Sequence, residues 1–195
     1  TRQTLLFSAT MPQDVMQIAS FAMRPNFAHV DCVGHEQETH QHVPQNVLVY
    51  SLHAQFAELA LIIKEGMLDP DYKIMVFFTT ARLTQLHAEL FNKMNFNVLE
   101  IHLLMSQSHR DKISTVFREN ERQIMFTSDV SARGMDYPDI SMVIQVGLPE
   151  SKAQYIHRLG RTARAGKSGN HYTVAGPCTV VMELGVSCPR GLKAT

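Results

Sequence analysis

The sequence predicts an α/β protein built on an open parallel sheet, and two observations lead to this fold class. Short apolar runs alternate along the chain with longer amphipathic stretches. The short runs are apolar at odd and even positions alike, which is typical of parallel strands buried between two layers of helices. Because strand and helix alternate, we expect right-handed crossovers and helices on both faces of one sheet.

The expected elements follow one another in a regular order. Strands are expected at Thr4–Phe7, Val47–Leu52, Ile74–Phe78, Val98–Ile101, Gln123–Phe126 and Met142–Val146. Helices are expected at Gln13–Met23, Gln55–Gly66, Ala81–Met94, Ser106–Asn120 and Lys152–Arg164. A helix separates all but the last two of these strands, as parallel pairing requires.

The composition excludes several classes of protein. The chain has 195 residues, 45% of them apolar, which suits one to one and a half globular domains and excludes a disordered chain. Its apolar runs are far too short to span a membrane. The 18 basic and 18 acidic residues cancel, so a generally basic coat for nucleic acid is excluded. Three cysteines without a CxxC pair predict neither a disulfide framework nor a zinc ribbon, and they indicate a reducing, intracellular compartment.

One stretch divides the chain. Residues 31–46 contain three acidic residues, three His, one Pro, and no Lys or Arg, so we interpret them as a linker. Residues 1–30 are then the last strand and helix of an earlier domain, residues 47–170 a nearly complete second domain, and residues 171–195 an atypical tail. Since the chain starts at Thr1 with a strand-like run, we expect it to be part of a longer protein.

Small polar residues follow three of the expected strands. These clusters are Ser8-Ala9-Thr10, Thr79-Thr80 and Thr127-Ser128-Asp129. Each cluster alone is equally well explained as a helix cap. Three clusters at the carboxyl ends of strands favour a shared ligand-binding surface, because open α/β sheets bind ligands at that edge.

Ser151–Asn170 carries five cations and no acid. A helical projection at about 100° per residue gives it two neighbouring faces. The apolar face holds Ile156, Leu159 and Ala163, and the other holds His157, Arg161 and Arg164. A solvated basic face is the plain alternative, but such faces usually interleave acids to limit repulsion. Because the planar guanidinium suits phosphate, the segment indicates a phosphate contact.

Two shorter patterns fail their own rules. Gly166-Lys167-Ser168 ends like a P-loop, but Arg161 stands where that loop needs glycine, and a helix rather than a strand precedes it. His35-Glu36 begins like a zinc-protease motif, but Thr39 stands where the second histidine is required. We therefore predict neither a P-loop nor a metal site.

Four blocks in one order carry a family resemblance. Ser8-Ala9-Thr10 follows an apolar run, and Gln107–Arg110 has QxxR spacing at an expected helix start. The strings Thr127–Asp136 (TSDVSARGMD) and Tyr155–Gly166 (YIHRLGRTARAG) are the most specific. Over about residues 2–169 the chain closely resembles the second half of a DEAD-box ATP-dependent RNA helicase of superfamily 2.

The resemblance implies a RecA-like fold: two such lobes would clamp ATP and single-stranded RNA between them, and this chain would hold the end of the first lobe and the second lobe. Arg161 and Arg164 match the arginines that reach the γ-phosphate and act in catalysis. Asp136 matches the carboxylate on the ribose, and Gly134 lies in the same nucleotide-binding string. ATP with Mg²⁺ is the implied cofactor, with metal ligands mainly from the other lobe.

The remaining matches concern coupling and RNA. Four residues resemble those that couple the lobes: Ser8, Thr10, Arg133 and His157. Arg110 and Thr127 match RNA-backbone contacts, and the end of a strand suits Thr127 because its hydroxyl and nearby amides can meet a phosphate oxygen. Gln107 belongs to the same RNA-binding set, and we expect it to support Arg110 rather than to contact RNA. The implied partners are RNA, the other helicase lobe and a protein activator, with no membrane.

The chain also departs from the family. It has no P-loop lysine and no Asp-Glu-Ala-Asp box, so we expect it alone neither to bind ATP tightly nor to hydrolyse it. Leu103 and Leu104 are more apolar than usual before QxxR and are expected at the surface. After Gly169 the sequence differs from the family's next strand; Thr179–Met182 would be a replacement strand, and a shifted reading frame is one hypothesis for the tail.

Three functions are compatible with the residues. The leading one is the carboxy-terminal half of an RNA helicase that separates strands by closing on ATP and RNA. The alternative is a non-catalytic RecA-like module that binds RNA or a protein. A superfamily 2 DNA helicase is the third, and the two specific strings argue against it.

Overall fold

The structure is a computed structural model that describes residues 3–7, 13–30, 43–129, 136–163 and 168–176. The chain divides into two compact units, Thr1–Thr39 and His40–Thr195. The described part of the first unit contains one helix, α1 (Gln13–Ala22). The strand predicted at Thr4–Phe7 is wrong: residues 3–7 form no strand, because the described part of this unit offers no second strand to pair with.

The second unit contains a six-stranded sheet and four helices in its described residues. The strands are β1 (Gln45–Val49), β2 (Lys73–Phe78), β3 (Val98–Ile101), β4 (Gln123–Thr127), β5 (Met142–Val146) and β6 (Asn170–Ala175). The helices are α2 (Leu52–Gly66), α3 (Ala81–Lys93), α4 (Gln107–Glu119) and α5 (Lys152–Leu159). The strand order is β1-β6-β5-β2-β4-β3, and all five pairings are parallel. The predicted fold class is confirmed.

The central strand β2 explains why helices cover both faces of the sheet. All six of its residues are buried, as the apolar run Ile74–Phe78 predicts for all but Lys73. Val76 and the residues two positions before and after it point to one face of the sheet, where they pack in a cluster with Ile63 of α2 and Phe91 of α3. Met75 and Phe77 point the other way, towards Phe117 of α4. A parallel sheet sandwiched in this way brings every strand's carboxyl end to the same edge.

Three helices begin at a residue whose side chain caps the first turn. The Thr80 hydroxyl accepts from the Leu83 amide at 3.2 Å and starts α3. Ser106 starts α4 by accepting from the His109 amide at 3.4 Å, and Ser151 starts α5 by accepting from the Gln154 amide at 3.2 Å. These bonds satisfy amides that the first turn of a helix leaves without partners.

The edge strand β3 is hydrogen-bonded at its first residue by a side chain. The Asn92 amide, on α3, donates through Nδ2 to the Val98 carbonyl at 3.0 Å. The Oδ1 atom of Asn92 accepts from the Val98 amide at 2.6 Å. One side chain therefore satisfies both backbone groups of the residue that begins β3.

The second unit corrects two predicted boundaries. The sheet continues to Ala175, so residues 170–175 belong to the domain and the tail does not begin at residue 171. The strand was missed because two of its four buried residues, His171 and Thr173, are polar. β1 starts at Gln45, inside the predicted linker. The replacement strand predicted at Thr179–Met182 lies outside the described residues.

Candidate nucleotide and RNA site

The polar clusters that follow β2 and β4 lie at one edge of the sheet, because both strands run the same way. Thr80 acts as the cap of α3, which is the plain explanation of its cluster. Asp129 follows β4 and makes the contacts described below. Ser8 and Thr10 lie outside the described residues, so the third cluster and their coupling role stay predictions.

The loop after Asp136 is anchored in the core. Asp136 itself is exposed, whereas Tyr137 and Ile140 are buried. The Tyr137 hydroxyl hydrogen-bonds the Ser114 hydroxyl at 3.1 Å, and its ring meets Phe117 edge to face at 5.3 Å between ring centres. Two buried neighbours thus fix the backbone that carries the Asp136 carboxylate.

Helix α5 ends earlier than predicted. It stops at Leu159 rather than at Arg164, and residues 160–163 form a turn. Gly160 caps the helix, and Ala163, three residues further along, has a φ of 53°, so the helix does not resume there. The helical projection therefore applies to His157 but not to Arg161, and Arg164 lies outside the described residues.

The turn that carries Arg161 has three attachments. The Arg161 Nε atom donates to the His157 carbonyl at 3.1 Å. The buried Thr162 hydroxyl donates to the Ile140 carbonyl at 2.6 Å and so ties the turn to the loop after Asp136. Gly169 lies directly against the Thr162 hydroxyl, and a Cβ atom there would collide with it. The geometry supports a fixed placement of Arg161, which is half-buried, relative to that loop.

Arg158 is the important residue that sequence reasoning missed. The charge pattern places it among the five cations of a basic segment, yet its side chain is only 1% exposed. Its Nη2 atom lies 2.8 Å from Asp129 Oδ1, and its Nε donates to the same oxygen at 2.9 Å. Gln154 of α5 also donates to Asp129, through Nε2 to Oδ2 at 2.6 Å. An acid directly after a buried strand was the signal that could have suggested a buried partner.

The expected RNA contacts on α4 are only partly as predicted. Arg110 is half-buried, and its Nε atom is buried without a hydrogen-bond partner among the described residues. Gln107 does not support Arg110, because its Nε2 donates to Asp111 Oδ1 at 2.7 Å. The exposed leucines were predicted correctly: Leu103 is 70% and Leu104 is 62% exposed.

Thr127 is buried, which removes the reason given for a direct phosphate contact by its hydroxyl. The Oγ1 atom lies 2.9 Å from the Ile101 carbonyl oxygen and 2.9 Å from the Ser128 carbonyl oxygen. The hydroxyl therefore joins the ends of β3 and β4. Arg133 and Gly134 lie outside the described residues, and their roles stay predictions.

The described residues contain neither a membrane-spanning helix nor a metal-binding cluster. No helix there is long and apolar enough to cross a membrane. No group of three or more His, Cys, Asp and Glu in the same residues could hold a metal ion.

Comparison with known proteins gives one family. A model described as the helicase conserved C-terminal domain matches residues 54–166, more than half of the chain. DEAD-box ATP-dependent RNA helicase 31 of Arabidopsis thaliana is 49% identical over 179 residues, which are 90% of this chain and 25% of the relative. DEAD-box ATP-dependent RNA helicase 26 of Oryza sativa subsp. japonica is 49% identical over 170 residues, 86% of this chain and 32% of the relative. The chain spans about a quarter to a third of these relatives.

Solved structures agree. Mss116p bound to single-stranded RNA and AMP-PNP is 33% identical, with a TM-score of 0.80 over 93% of this chain and 38% of that chain. A DEAD-box protein from Methanococcus jannaschii is 26% identical, with a TM-score of 0.65 over 93% of this chain and 49% of that one. The parallel sheet, the two specific sequence strings and these matches together mean that the chain belongs to the DEAD-box helicases and carries their conserved C-terminal domain with its RecA-like fold.

Proposed function

We propose that the chain is the second lobe of an ATP-dependent RNA helicase and supplies contacts to a nucleotide held between two lobes. One observation carries the proposal: the 2.6 Å bond from Thr162 to Ile140 joins the turn of Arg161 to the loop of Asp136. A phosphate-binding arginine and a ribose-binding carboxylate must keep a set separation. The shared attachment supports these two roles for Arg161 and Asp136.

The chemistry asked of Arg161 is charge stabilisation. Phosphoryl transfer spreads negative charge over the γ-phosphate oxygens, and a placed guanidinium lowers the energy of that state. The bond from Arg161 Nε to the His157 carbonyl sets the direction of the guanidinium before a nucleotide arrives. Arg164 and Gly134 are proposed to contact the same nucleotide, and Arg133 and His157 to couple the lobes together with Ser8 and Thr10.

RNA would be held by its backbone. The buried Nε of Arg110 lacks a partner among the described residues, and a phosphate oxygen would satisfy it. Because the net charge of the chain is zero, affinity would depend on a few placed cations rather than on a basic coat. Closure of two lobes on ATP and RNA would separate strands locally, and hydrolysis would release them, with little reading of bases.

The chain alone should be inactive. Its sequence has no P-loop lysine and no Asp-Glu-Ala-Asp box, so the magnesium ligands and much of the nucleotide site would come from the other lobe. The cysteines, which form no CxxC pair, are the basis for proposing an intracellular compartment.

RNA-stimulated ATP hydrolysis by the full-length protein that carries this chain tests the proposal. Arg161→Ala should lower turnover by at least about a hundredfold while nucleotide still binds, because the residue acts on charge that develops during transfer. Arg164→Ala should behave in the same way. Arg118→Ala is the matched control, since Arg118 is an exposed arginine in the last turn of α4 and has no proposed role in the nucleotide site.

Three outcomes would contradict the proposal. Unchanged turnover in Arg161→Ala would remove the residue from the nucleotide site. Folded wild-type protein without RNA-stimulated hydrolysis would favour the non-catalytic binding module. Equal stimulation by single-stranded DNA and by RNA would favour a DNA helicase.

A further inference from the structure

A chain of buried polar side chains continues beyond the Asp129–Arg158 pair into the sheet. Arg158 Nη1 donates to Gln145 Oε1 at 3.2 Å. Gln145 is fully buried in the middle of β5 and lies 2.7 Å, through Nε2, from Nε2 of His171 on β6. The guanidinium also lies over the ring of Phe77, 5.3 Å from its centre. Four side chains, from the loop after β4 and from α5, β5 and β6, are thus connected in one line.

The direction of each hydrogen bond in this line is fixed by its first member. Arginine has donors only, so the Gln145 oxygen must face Arg158 and its NH₂ group must face His171. The His171 Nε2 atom therefore accepts, which requires a neutral ring with its proton on Nδ1. Burial favours the same state, because it lowers the pKa of His171 to about 3.

Stability alone does not explain these residues. A buried ion pair or polar chain can often be replaced by apolar residues without loss of stability. The Nδ1 atom of His171 has no hydrogen-bond partner among the described residues, and an unsatisfied buried donor destabilises a fold by about 1–3 kcal/mol. Val143 and Ile144, the neighbours of Gln145 on the same strand, are buried and apolar. Polar residues that break local rules of this kind occur most often where a site is held in place.

We propose that Gln145 and His171 are positioning residues: they orient Arg158, and Arg158 holds the end of β4 and helix α5 in one arrangement. Asp129 precedes the segment that leads to Asp136, and Arg158 lies between His157 and Arg161 in sequence. The network would therefore hold two segments of the nucleotide site in place, the one that leads to Asp136 and the one that carries His157 and Arg161, without touching the nucleotide. This proposal rests on the proposed function for its effect on hydrolysis.

The test compares two substitutions at one position. His171→Gln keeps an acceptor for the Gln145 NH₂ group, whereas His171→Leu removes it. In the full-length protein, well below each unfolding temperature, His171→Leu should lower kcat for RNA-stimulated ATP hydrolysis by at least about tenfold, since small displacements of a placed group are costly. RNA binding without nucleotide should be unchanged, and His171→Gln should restore kcat to within about twofold of wild type.

A second variant covers the case in which His171→Leu does not fold. Gln145→Met has a similar volume, removes both bonds and should lower kcat to the same extent. Wild-type kcat in either folded variant, or an equal loss in His171→Gln and His171→Leu, would overturn the proposal.

A signal from Arg158 itself separates this proposal from the proposed function. The NMR resonance of the Arg158 Nη1–H group that faces Gln145 should be protected from solvent exchange in wild type and His171→Gln and lose that protection in His171→Leu. If wild type hydrolyses no ATP, the proposed function fails, and this resonance still decides the positioning role. Equal protection in all three proteins would overturn it.

Discussion

Two corners of the second unit treat their polar groups in opposite ways. In the arginine corner, made of Asp129, Gln145, Arg158, Thr162 and His171, the side chains bond to one another or to backbone, and only Nδ1 of His171 lacks a partner among the described residues. In the β3–α4 corner, made of His102 to Arg110, Nδ1 of His102 and Nε of Arg110 are buried without hydrogen bonds in the described structure, and two leucines face solvent. Nε2 of His102 lies 3.3 Å from Glu100 Oε2, but the contact lacks hydrogen-bond geometry.

The difference follows from what each corner is proposed to bind. A phosphoryl group in transfer must meet charges that are already in position, so the arginine corner satisfies its polar groups internally. An RNA backbone of any sequence supplies its own acceptors, so the β3–α4 corner can leave donors to be satisfied on binding. Preorganisation at one corner and completion by the ligand at the other are compatible in a single rigid sheet.

The largest expected effect breaks the arginine corner directly. Arg158→Met should destabilise the chain by about 3 kcal/mol, because it leaves the oxygen of the buried Gln145 without a donor and removes the cation from Asp129, whose side chain is 38% exposed. Urea unfolding at pH 7 measures the change. The double variant Arg158→Met/Asp129→Asn should recover part of the loss, and a single variant as stable as wild type would show that the pair is not an energetic link.

Acid should lower the free energy of unfolding through His171 of the same corner. The folded chain keeps His171 neutral until about pH 3, whereas the unfolded chain binds a proton near pH 6.5, so protons favour unfolding between these values. Wild type should lose about 2 kcal/mol more than His171→Gln between pH 7 and pH 5. Urea unfolding of both proteins at the two pH values measures the difference, and parallel losses would contradict the neutral buried ring.

Gly169 packs against Thr162 of the arginine corner and tests how tightly that corner is built. In Gly169→Ala the new methyl group collides with the Thr162 hydroxyl and crowds the Ala163 amide at 2.9 Å, so we expect a loss of about 1–2 kcal/mol. Gly176→Ala is the matched control, because its Cβ would meet only the Gln55 amide nitrogen at 3.6 Å, an ordinary contact. Thermal unfolding compares the two. Equal stability of the two variants would mean that the turn yields easily.

The smallest expected effect lies in the β3–α4 corner. Arg110→Ala should weaken binding of single-stranded RNA by about fivefold and reduce the salt dependence by about one phosphate contact, while protein stability changes little. Fluorescence anisotropy at several salt concentrations measures both. Lys112→Ala, on the same helix and exposed, is the control. An equal loss in both variants would indicate general attraction rather than a placed contact.

The same contrast explains what the sequence could and could not predict. Apolar periodicity is enough for β2, β4 and β5, because burial on both faces leaves a readable pattern. It fails at β6, where His171 and Thr173 are buried through polar contacts and packing that no local pattern displays. It also fails at Arg158, since a buried cation is indistinguishable from a solvated one until Asp129 is seen 2.8 Å away. Local rules therefore predict the scaffold, whereas the polar interior depends on contacts between distant residues.

The amide of Asn92 has a consequence for how the chain behaves among other proteins. β3 is the last strand of the sheet on its side, and an unprotected outer strand can recruit a strand from another molecule. Asn92 imitates a neighbouring strand at Val98, and Glu100 adds a negative charge two residues further along. A foreign chain would have to displace a paired amide and accept a nearby carboxylate, so this side of the sheet resists edge-to-edge aggregation.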